Sequence, residues 1–261
     1  MERVMNTGVI TERIAEASPR LKARIAGFLY LLIIVGALFA PFAVAPSGMM
    51  RGDAALPTAV QILASKPLYV FGGATQLVLG ACDVGVALIF YELLKPVSRG
   101  LALLAAFFRL VFVAIASANV LNHFAPLLLL TGGEYVSAFK PDQLQALALV
   151  FVRLRTIGFD IALVFFGFHC VVLGYLLFRS TFFPRILGLL LAIGGIGYML
   201  NIFVNVIPPA IGAHLFPYIM LPAGIAEIGL TFWLIIVGVN ASKWKAQASA
   251  ARSSVESNSL P

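Results

Sequence analysis

Long apolar runs alternate with short polar breaks along this chain. Six of the runs reach the ~20 apolar residues that a membrane helix needs. They cover residues 25–45, 67–94, 101–130, a stretch within 144–178, 186–207 and 218–239. No strand-like alternation competes with them. The pattern predicts an all-α fold: a polytopic integral membrane protein built as a six-transmembrane-helix bundle. Residues 1–23 read as an N-terminal tail, 24–240 as the membrane domain and 241–261 as a polar tail expected to be disordered. The fourth run is too long for a simple span, so its first turns project from the membrane or the helix tilts. Ala43 to Ala45 (AVA) resembles a signal-peptidase site, but the apolar run before it is long and follows a 24-residue leader, so it reads as a retained helix. The connection after the first run has helix-like spacing from Thr58 to Leu63, enough for a short surface helix.

Composition agrees. Hydrophobic residues make up 61% of the 261, and charged residues only 11%. Mean hydropathy is +1.00. The net charge of +7 could suggest nucleic acid, but the basic residues form no single patch. They cluster at the ends of the apolar runs, so nucleic acid is excluded as a partner and the lipid bilayer takes its place. Twelve lie on one side of the expected bundle, among them Arg20, Lys22, Lys95, Arg99, Arg179, Arg185, Lys243 and Lys245. Three lie on the other: Arg51, Lys66 and Lys140. That bias predicts cytoplasmic N- and C-termini. Cys82 and Cys170 both lie in apolar runs, so no disulfide framework is indicated.

Ionisable residues inside a span are costly and turn toward the bundle interior. Asp83 and Arg109 fall at similar depth on consecutive helices, which predicts an ion pair. Asp160 and His169 lie deep in the fourth run and complete a buried charge network. A second group gathers in the outer half: Arg153, Arg155, Glu227, Asn201, Asn205, Asn119, Asn122 and His123. There an arginine is expected to meet Glu227, with the asparagines completing the hydrogen bonding. His169-Cys170 and Cys82-Asp83 lie at similar depth, yet adjacent helical residues diverge by about 100°, so no metal site is expected. His123 and His169 sit near opposite ends of the span, which argues against an axial haem pair, and no cofactor is indicated. Nothing in the chain matches a catalytic motif or a phosphate-binding glycine loop. GLLLAIGGIGY, with Gly188, Gly194, Gly195 and Gly197, reads as a helix-packing surface.

Several stretches together carry a family resemblance: RIAGFLYLLIIVGALF from Arg24, RGDAA from Arg51, FYELLKP from Phe90, LALLAAFFRL from Leu101, GFDIALVFFGFHCVVLGYLLFRS from Gly158 and FPRILGLLL from Phe183. The chain resembles the bacterial domain-of-unknown-function family 4386 over about residues 20–245. The resemblance implies a six-helix protein of the bacterial cytoplasmic membrane and carries over no catalytic residue. Three function classes follow from the residues. The first binds or transports a small amphipathic or lipid-like ligand in the outer-half polar pocket. The second is a structural or accessory subunit whose buried charges only fix packing, with a membrane-protein partner or a second copy at the glycine-rich fifth helix. The third, an intramembrane enzyme using Asp160 or Glu227, lacks a nucleophile–base pair.

Overall fold

The computed structural model describes residues 18–44, 55–204 and 209–258. Among the described residues the secondary structure is helical only. The first span is Pro19–Val44 and the second Lys66–Leu94. The third is Arg99–Ala118, continued past Asn119 by Val120–Thr131. The fourth is Pro141–Arg179 and the fifth Arg185–Val204. The sixth, Pro209–Phe232, ends in a π-helical turn, Trp233–Val237. Among the described residues six helices are long and apolar enough to cross a membrane, and the chain is a multi-pass helical membrane protein.

Consecutive spans pack side by side, and the sixth returns to the first, so the six form a closed ring. The first span belongs to the core, where Ala23, Ala26 and Tyr30 are buried. The fifth span is held through glycines on two faces. A methyl group on Gly188 or Gly195 would sit 2.5 or 2.6 Å from the carbonyl oxygen of Gly174 or Gly167 on the fourth span. One on Gly194 would sit 2.5 Å from Cα of Ala223 on the sixth. These glycines let three backbones close up, as small residues do between membrane helices. The glycine-rich face is therefore spent inside the bundle. The outward face of the fifth span is the stripe Ile186, Leu189, Ile193, Ile196, Leu200 and Phe203, all exposed at three- and four-residue spacing.

One end of the ring collects the basic residues. Lys22 Nζ reaches Glu92 Oε2 at 3.3 Å and Lys95 Nζ reaches Glu92 Oε1 at 2.8 Å. Thr181 Oγ1 donates to Gln247 Oε1 at 3.0 Å, and Trp244 Nε1 donates to the Leu93 carbonyl at 2.8 Å. The start of the first span, two interhelical turns and the C-terminal segment thus share this basic end. The last segment departs from expectation: Ala241–Asn258 is a helix. Asn240 caps it, its Oδ1 accepting from the Lys243 amide at 3.1 Å. Its alanines favour helix, and Trp244 and Gln247 dock its first turns.

At the opposite end the third and fourth spans run long. Their 33 and 39 residues make about 50 and 58 Å against a hydrocarbon core of about 30 Å. The short helix expected near Thr58–Leu63 is Ala55–Ala64, and it packs on both extensions with Ala59 and Ile62 buried.

Candidate functional site

Arg109 is the centre of the ring. Ten residues separate it from the helix start at Arg99, about 15 Å, or roughly mid-depth in the core. Its side chain is fully buried. Nε donates to Asp83 Oδ1 at 2.9 Å and Nη2 to the same oxygen at 2.5 Å. Nη1 lies 3.0 Å from His169 Nε2, and His169 Nδ1 lies 2.8 Å from the Ala105 carbonyl. A carbonyl can only accept and a guanidinium can only donate, so His169 is the neutral Nδ1-protonated tautomer. Tyr30 and Phe166 cover the guanidinium, their ring centroids 4.9 and 5.4 Å from Cζ. The expected Asp83–Arg109 pair forms, and His169 of the buried charge network joins it. Tyr30 and Phe166 were not legible as partners, because aromatic residues occur throughout an apolar chain.

Asp160 does not join this centre. It is buried nearer the opposite end, where its Oδ1 accepts from Asn201 Nδ2 at 2.8 Å. The remaining outer-half residues divide into separate groups. Asn119 Nδ2 donates to the backbone carbonyl of Arg155 at 2.7 Å, and Asn122 Nδ2 donates to Asn119 Oδ1 at 2.9 Å. Gly158 makes this approach possible, since a Cβ there would run into the Asn119 amide. His123 and Tyr69 are tied twice. The Tyr69 hydroxyl donates to the His123 carbonyl at 2.5 Å, and His123 Nε2 donates to the Tyr69 carbonyl at 2.8 Å. Their rings stack with centroids 4.0 Å apart. Arg153 is exposed and Arg155 half-buried. Asn205 lies outside the described residues.

Glu227 corrects the expectation of an arginine partner. Among the described residues no ion pair joins it to Arg153 or Arg155. Its Oε1 accepts from the Tyr198 hydroxyl at 2.6 Å, and it lies within Coulombic reach of Arg109 and Asp83. The cause is the start of the sixth span. The stretch PPAIGAHLFP reads as a loop, but the helix begins at Pro209 rather than Tyr218. Those nine residues displace the count by about 13 Å along the helix axis. Glu227 therefore falls toward the basic end, away from the arginines.

Four buried polar atoms have no partner among the described residues: His123 Nδ1, Asn201 Oδ1, Thr231 Oγ1 and Trp233 Nε1. Among the described residues no group of three or more His, Cys, Asp or Glu side chains is placed to hold a metal ion.

The family model described as "Domain of unknown function (DUF4386)" matches residues 25–238, and the chain belongs to that family. An uncharacterized protein of Archaeoglobus fulgidus is 27% identical over 156 residues, which span 60% of this chain and 76% of that protein. No solved structure matches the chain.

Proposed function

We propose that this family member is a non-enzymatic, structural or accessory protein of the cytoplasmic membrane, and that its buried charges fix helix geometry. The observation that carries this reading is the closed shell of Arg109. Nε, Nη1 and Nη2 each meet an acceptor, the Tyr30 and Phe166 rings lie against the guanidinium, and the acceptors come from the second and fourth spans. A buried group tied in this way to two other spans holds helices in register. The gathering of basic residues at one end supports an orientation with that end, and both termini, in the cytoplasm. A membrane partner or second copy would meet the outward stripe of the fifth span, since its glycines face inward.

The test is proton flux into proteoliposomes under an imposed pH gradient. The expected result is no flux above protein-free vesicles. Protein-dependent flux that disappears in Asp160→Asn would overturn the reading in favour of a proton-coupled carrier.

A second reading rests on Arg155. The residue is half-buried, its backbone carbonyl takes the Asn119 amide, its charge lies within Coulombic reach of Tyr69 and His123, and none of the ion pairs among the described residues involves it. An anionic head group of an amphipathic ligand suits that position. Mass spectrometry of lipids and small molecules co-purifying with the protein tests it. A wild-type profile retained in Arg155→Ala removes this reading.

A further inference from the structure

The basic end holds a recess of about 290 Å³, open to the surface on one side. The turn between the fourth and fifth spans forms one wall, through Thr181, Phe182, Phe183 and Pro184. Trp233 and Val237 of the π-helical turn form the second, and Asn240 and Lys243 at the start of the last helix form the third. Gly238 joins the last two walls at a φ of +69°, a left-handed conformation suited to glycine. Phe182 and Phe183 are buried and give the recess an aromatic side.

Two polar groups here lack protein partners. The Trp233 indole N–H is buried and has no acceptor among the described residues. A tryptophan this deep ordinarily finds one. The Lys243 side chain is exposed at the rim and enters none of the ion pairs among the described residues. Other polar groups of the wall are bonded within the protein. Asn240 Oδ1 accepts from the Lys243 amide and the Ser242 hydroxyl, and Thr181 donates to Gln247 from both its amide and its hydroxyl. The recess therefore offers a cation and carries no carboxylate of its own. Its volume is at the small end for a ligand pocket, enough for a head group and not for a whole lipid.

We propose that this recess seats the phosphate-bearing head group of an anionic phospholipid, with the phosphate on Lys243 and the lipid body against the aromatic side. Basic pockets at helix ends take such head groups, and each lysine near the surface favours them by a predictable margin. The inference is independent of the closed Arg109 centre and of Arg155, which lies at the other end of the bundle.

The experiment is native mass spectrometry of the full chain released from nanodiscs holding equal amounts of phosphatidylglycerol and phosphatidylcholine. Wild-type adducts are expected to favour phosphatidylglycerol about fivefold, the margin of one lysine contact. Lys243→Glu and Lys243→Gln should bring the ratio to parity. Lys245→Glu, an equal charge change on the same helix outside the recess, should keep it. Because Lys243 is exposed, both of its variants should fold, and matching circular dichroism checks this. A preference that persists in both Lys243 variants, or that Lys245→Glu abolishes as fully, overturns the proposal. Release of the adduct by inorganic phosphate at millimolar concentration would overturn the lipid assignment in favour of a free anion.

Discussion

Two polar regions of this bundle are built from similar residue types and behave differently. At mid-depth, Asp83 and His169 share one arginine, Arg109, whose three nitrogens each meet one of them. Toward the opposite end, Asn119, Asn122, Tyr69, His123, Asp160 and Asn201 form small separate groups, and two of their atoms have no partner among the described residues. Depth explains the contrast. A full charge at the centre of the hydrocarbon has no water to turn to, so the sequence surrounds it completely. Near the end of a span, head groups and water lie within reach of extended side chains, and looser satisfaction is tolerated. On the proposed reading the first region sets the register of the ring.

Substitutions should separate the two regions by size of effect. Arg109→Met leaves Asp83 buried without its cation and is expected to cost about 3–5 kcal/mol, read by chemical unfolding in mixed micelles. A cost near that of the asparagine variants would erase the contrast. His169→Phe keeps the ring but removes the acceptor for Nη1, an expected loss of about 1–3 kcal/mol by the same measurement. Asn119→Ala removes the bridge to the Arg155 carbonyl and should cost only about 0.6–2 kcal/mol, the range for a hydrogen bond between membrane helices. Arg155→Met should leave unfolding within about 0.5 kcal/mol of wild type, because among the described residues no ion pair depends on the guanidinium. A larger loss would place Arg155 in the structural class with Arg109.

Much of this architecture was legible in the sequence, for physical reasons. Apolar runs of membrane length mark spans whatever their partners, so six helices could be read directly. Asp83 and Arg109 could be paired because helices of known direction convert sequence position to depth. The same conversion failed for Glu227, where two prolines and a glycine disguised the first turns of the sixth span. The glycines of the fifth span identified a packing surface, but not that it would be used internally on two faces. The π-helical turn at Trp233–Val237 and the docked helix Ala241–Asn258 had no sequence signal of comparable strength. Both depend on contacts between segments far apart in the chain.

The central claim is that the charges at mid-depth act as a packing unit. Unfolding of the double variant Asp83→Leu/Arg109→Met, beside each single variant, tests it most directly. If the pair serves packing alone, removing both charges should recover most of the roughly 3–5 kcal/mol lost with Arg109 alone, leaving only the cost of an unmet His169 acceptor. A double variant no more stable than the singles would contradict the claim and assign these charges a role beyond holding the helices together.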